Sequence, residues 1–85
     1  MTYEVKFTRS SLKELKRLPK QTSLRLTKAI YRLSEDPRKG SVRPMVGSES
    51  WRLRVGDYRV IYDIEDKVLQ ILIIRVRHRK DVYRK

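Results

Sequence analysis

The sequence predicts an α+β fold of order β-α-α-β-β-β, with an N-terminal antiparallel helical pair packed on a mainly antiparallel four-stranded sheet. Three observations lead there. Apolar residues recur at helical spacing from Leu12 to Leu33. From Trp51 the period changes to two and holds through Ile64, ahead of a last strand that is apolar on both faces over much of its length. The 85 residues contain no repeat, linker or low-complexity segment, so residues 1–85 read as one domain.

Each element has its own signals. Tyr3-Glu4-Val5-Lys6-Phe7 alternates apolar and polar and reads as a short first strand. Ser10 and Ser11 offer helix caps, and Ser11-Leu12-Lys13-Glu14 fits the S-x-x-E capping box. Leu12, Leu15 and Leu18 would form the buried stripe of that helix, which Pro19 ends. A second helix is expected from Gln21 to Ser34, burying Leu26, Ala29, Ile30 and Leu33, with Asp36-Pro37 as its stop. Residues 37–50 hold two of the three prolines and two of the three glycines and read as a loop. Trp51–Val55 and Tyr58–Ile64 then form a hairpin about Gly56-Asp57. A turn at Glu65-Asp66-Lys67 leads into Val68–Val76, whose apolar run suits a central strand.

With Gly56-Asp57 as a two-residue loop, Arg54 falls opposite Arg59 and Leu53 opposite Val60. Trp51, Leu53, Val55, Tyr58, Val60 and Tyr62 then face the helices, while Arg52, Arg54 and Arg59 share the other face. Like charges directly opposite one another destabilise a sheet, so this pairing suggests an anion between them. The next hairpin has two registers. A three-residue loop is the expectation adopted; it places Leu72, Ile74 and Val76 in the core, turns Gln70 inward, and sets Arg75, Arg77 and Arg79 beside Arg59. A one-residue slip would put those arginines on the helix side.

Composition narrows the chemistry. Twenty-two Lys and Arg against ten Asp and Glu give a net charge of +12, which attracts polyanions such as nucleic acid or an acidic protein. The absence of cysteine excludes disulfides and thiolate chemistry and favours a reducing cytoplasm. The longest apolar stretch, Val68–Ile74, is far short of the roughly 20 residues of a membrane span. One histidine and scattered carboxylates build no metal site, and no Gly-rich loop follows a strand, so neither metal nor cofactor is expected. An arginine-rich strand face is as often plain solvated surface, the helix lysines read as solubility residues, and Trp51, Tyr58 and Tyr62 fall in phase with the core. What stands out is Arg75-Val76-Arg77-His78-Arg79-Lys80-Asp81-Val82-Tyr83. It joins fixed positive charge to a near-neutral titrating group and a phenol, a set suited to phosphodiester chemistry.

The chain resembles the RelE/ParE toxin superfamily, and within it the RelE-type mRNA interferases. The likeness rests on Tyr3–Lys6 leading into Ser11–Leu15, on Asp36-Pro37-Arg38, on Trp51–Tyr62, and on His78–Tyr83. The resemblance implies a cytoplasmic toxin that enters the ribosomal A site and cleaves mRNA there. The ribose 2′-OH would attack, leaving a 2′,3′-cyclic phosphate and a 5′-OH, and a cognate antitoxin with acidic or amphipathic segments would block the toxin. By position, Arg52 and Arg54 match the family's basic pair, Arg59 its phosphate-stabilising arginine, and Arg79 and Tyr83 its C-terminal arginine and tyrosine. Arg75, Arg77 and Lys80 would add contacts to RNA. Well-known members carry lysines at the positions of Arg52 and Arg54, one of them assigned as the base, and arginine does not deprotonate in proteins. The base would then be His78 if the backbone turns after Val76, or Tyr83. Two other classes share this scaffold or charge: a ParE-like toxin that poisons DNA gyrase without cutting RNA, and a non-catalytic nucleic-acid-binding module.

Overall fold

Thr8, rather than Ser10 or Ser11, starts the first helix, α1 (Arg9–Lys16): its Oγ1 accepts the Ser11 N–H at 3.1 Å. Ser11 is therefore one turn inside the helix and fully buried, its hydroxyl donating to the Thr8 carbonyl at 2.9 Å. The expected capping box does not form, which releases Glu14 for a different partner. Leu15 is buried and Leu18 half-buried, but Leu12 is 39% exposed because Ser11 takes the inward position. Helix α2 (Lys20–Arg32) follows directly after Pro19 and buries Leu26 and Ile30, with Leu33 at its C-terminal end. The computed structural model describes residues 2–82.

The strands are β1 (Glu4–Phe7), β2 (Val42–Pro44), β3 (Trp51–Val55), β4 (Tyr58–Glu65) and β5 (Gln70–His78). A short helix, α3 (Arg79–Val82), follows β5 without a break. The strands form one mixed sheet of order β1-β5-β4-β3-β2, parallel between β1 and β5 and antiparallel elsewhere. The α+β reading holds, with two helices on the sheet. The fifth strand, β2, lies inside the segment read as a loop: three residues ending in Pro44 are too few to show a period.

The first hairpin has the expected register, with Arg54 opposite Arg59 and Leu53 opposite Val60. The second follows neither simple loop. Glu65 pairs with Gln70, and the four residues between them hold a 3₁₀ turn, closed by Leu69 in the left-handed region at φ 51°. Ile61 pairs with Arg75 but Tyr62 with Ile73, which leaves Ile74 as a bulge. Below the bulge Ile71 and Ile73 are buried; above it the phase flips and Val76 enters the core. Leu72 and Ile74, expected in the core, are thus only half-buried. One extra residue lets a single strand satisfy both registers. Tyr62 is fully buried and donates to the Pro37 carbonyl at 2.6 Å, tying the segment after α2 to the middle of the sheet. Burial pushes its phenol well above the usual range, so it stays neutral.

Candidate nucleic-acid interface

The β3–β4 turn is the anchor of the arginine face. Gly56 has φ +58° and Asp57 does not share a positive φ, the pattern of a type II′ turn that places Gly first. A side chain at Gly56 would meet the Arg25 guanidinium from α2 at 3.3 Å. Either side of this turn, Arg54 and Arg59 stand directly opposite each other. They share a groove of about 540 Å³ with Gly40, Ser41, Val42, Arg43 and Arg52. A smaller hollow of about 220 Å³ adjoins it, lined by Arg54, Gly56, Asp57, Arg59 and Arg79. Arg54 and Arg59 belong to both, so the two form one continuous basic track.

Arg79 reaches the hollow because its backbone is pinned to the turn. Its N–H donates to the Asp57 carbonyl at 2.6 Å, and its guanidinium lies 3.9 Å from the Asp57 carboxylate. That ion pair is well exposed and worth little as stability. Its effect is to aim the side chain. Arg43 is the groove residue that sequence reasoning missed. It pairs with Arg52 across the β2–β3 ladder, and no local period marks it, because its strand lies within the 37–50 segment that reads as a loop.

Other expected site residues lie elsewhere. Arg77 pairs with Arg59 in the ladder, yet Arg75 and Arg77 both turn to Glu14 of α1, at 3.3 and 3.8 Å. The expectation that His78 turns into the groove is corrected by the backbone, because β5 runs on through His78. His78 pairs with Tyr58 on the helix-side face, its ring edge-on at 5.0 Å. Its Nδ1 accepts the Lys80 N–H at 3.1 Å, which assigns the proton of the neutral ring to Nε2. His78 thus caps the first turn of α3. Lys80 is exposed on that turn, and Tyr83 lies outside the described residues.

A second polar cluster sits outside the two basic hollows. The Arg38 guanidinium grips the Asp66 carboxylate at 2.8 and 3.1 Å and lies 5.7 Å over the Trp51 ring. Tyr3 adds a hydroxyl to Asp66 at 2.7 Å. The Arg38 hydrogen bond, with that of Tyr3, holds the Asp66 carboxyl below its ordinary value, while the same carboxylate raises the Tyr3 phenol. Glu49, Asp63 and Glu65 line the same side, so with Asp66 these four acids gather apart from the arginine track.

A sequence model of the ParE toxin of the type II toxin–antitoxin system parDE matches residues 5–83. The chain is 33% identical over 87 aligned residues to toxin RelG of Mycobacterium tuberculosis, covering all of both chains. Among solved structures, it superposes with a TM-score of 0.84 on a chain of the RelBE2 toxin–antitoxin complex of the same organism. That match has 27% identity and covers 92% of this chain and 99% of the other. The archaeal RelE–RelB complex of Pyrococcus horikoshii matches at a TM-score of 0.80 and 34% identity, over 93% of this chain and 97% of that one. Matched from its first strand to its last helix and alike in fold, the chain belongs to the ParE toxin family of type II toxin–antitoxin systems, within the RelE/ParE superfamily.

Proposed function

We propose that this toxin is an endoribonuclease that cleaves mRNA on the ribosome by attack of the ribose 2′-OH on the adjacent phosphate. The observation that carries the reading is the convergence of Arg54, Arg59 and Arg79 on one hollow at the β3–β4 turn. Fixed guanidinium groups there would stabilise the extra negative charge of the pentavalent phosphate, and Arg79 would face the leaving 5′-oxygen. Arg43 and Arg52 extend the track and would hold the flanking backbone. Proton removal then falls to Tyr83 or to no protein group, since arginine does not deprotonate in proteins. The partner is a cognate antitoxin with acidic or amphipathic segments, as solved relatives are complexes of RelE with RelB.

Induced expression followed by mapping of mRNA 5′ ends on ribosomes tests the reading. Cuts confined to the A-site codon, with 2′,3′-cyclic phosphate and 5′-OH ends, support it; toxicity with intact mRNA overturns it. A second reading, a gyrase poison, draws on the parDE description of the matching family. Gyrase-dependent DNA breaks without RNA cleavage would establish it instead.

A further inference from the structure

Glu14 carries the capping-box signal of the sequence but caps nothing in its own helix. The reason lies at the edge of β5. Its pairing with β1 stops at Ile73, opposite Phe7, so from Ile74 onward the outer edge of β5 has no strand beside it among the described residues. The start of α1 takes the strand's place. The Thr8 N–H donates to the Ile73 carbonyl and its hydroxyl to the Ile74 carbonyl, both at 2.9 Å. Glu14 Oε1 then accepts the Val76 N–H at 2.8 Å. Its Oε2 lies against the guanidinium groups of Arg75 and Arg77, which flank Val76. The Glu14 side chain is 24% exposed, so this pairing is less screened than a surface ion pair.

We propose that Glu14 is a positioning residue: an internal anion that closes the free edge of β5 and withholds Arg75 and Arg77 from RNA. Phosphate is thereby left to Arg54, Arg59 and Arg79. The inference rests on the RNA reading above and refines it. Arg75 and Arg77 share a strand with the segment leading into α3, so an RNA backbone drawn to them would compete with the hollow for register. A carboxylate already seated between them removes that competitor. It also fixes the strand three residues before Arg79, whose N–H must meet the Asp57 carbonyl.

The test uses the full chain and a uridine-rich single-stranded RNA, with affinity measured across a salt series. Glu14→Gln keeps an acceptor for the Val76 N–H and removes the charge. It should bind several-fold tighter, with a log K against log salt slope steeper by about 0.7 for each arginine released. In ribosome-bound mRNA cleavage the same variant should lower kcat without raising KM. The double variant Arg75→Gln/Arg77→Gln, with Glu14 intact, should bind RNA like the wild type; it decides the matter alone if Glu14→Gln fails to fold. An unchanged slope in a folded Glu14→Gln, or a double variant as weak as Arg52→Ala, overturns the proposal. Wild-type protein without salt-dependent RNA binding would overturn the RNA reading itself, and this inference with it.

Discussion

At the residue scale, the arginines divide by where the fold places them. Arg54 and Arg59 face each other across a ladder, and Arg79 is aimed by Asp57, and the proposed function assigns the phosphate to these three. Arg59→Ala and Arg79→Ala should each cut mRNA cleavage by about 10²–10³, the cost of one lost donor to developing charge. Their circular dichroism and melting should stay near wild type, because both lie outside the buried core. Arg52→Ala should instead weaken RNA binding and flatten its salt dependence by about 0.7. His78 gives the opposite expectation. Asparagine can offer an acceptor where Nδ1 now accepts the Lys80 N–H, so His78→Asn should keep both the cleavage rate and its pH profile. Loss of the acid limb in that variant would return His78 to the chemistry.

The element that matters most is the β3–β4 hairpin. Its turn presents both cross-strand arginines and supplies the carbonyl that pins Arg79. Gly56 sits at φ +58° beneath the Arg25 guanidinium, so an added methyl is strained and must displace that group. Gly56→Ala should destabilise the fold by about 1–2 kcal/mol, a Tm drop of roughly 4–8 °C per kcal/mol for a domain this size. Cleavage should fall further than stability alone explains, since the turn also sets the hollow. A thermal melt beside a cleavage assay below the transition separates the two effects. β5 shows how an element can be only half legible: Ile71, Ile73 and Val76 cannot share a face in an unbroken strand, and the bulge at Ile74 resolves the conflict.

Over the whole molecule, charge is unevenly placed. A net +12 gives a field that draws polyanions from a distance, and the groove focuses it. The acids Glu49, Asp63, Glu65 and Asp66 collect around Arg38, where they cost the arginine track little. Asp66 sets a pH dependence of stability. Its carboxyl is held below the ordinary value of 3.8 by Arg38 and then Tyr3, so the folded state prefers the charged form. That contribution is fully present above the unfolded pKa and is lost as pH falls through the lowered folded value. Wild-type melting temperature should therefore drop below about pH 4, and Asp66→Asn should be less stable at pH 6 yet flatter through that acid range. The effect should be small, since the pair is solvent-exposed. A titration of Tm for both proteins at fixed ionic strength checks it.

Alternation and a two-residue turn leave one register for a half-buried pair of strands, so the element order, the inward face of the first hairpin and the cluster of Arg52, Arg54 and Arg59 are legible from the residues alone. The sequence also carried the family, through motifs spread along the whole chain. Tertiary structure alone decided the rest. Residues 42–44 become a strand only because β3 offers them an edge, which brings Arg43 into the groove. Glu14 meets Val76, and Arg79 meets Asp57, across 62 and 22 positions of sequence; no local period encodes such contacts. His78 lost its expected place for the same reason. Its side follows from β5 running on through His78 in phase with Val76 instead of turning after it, which pairs the ring with Tyr58.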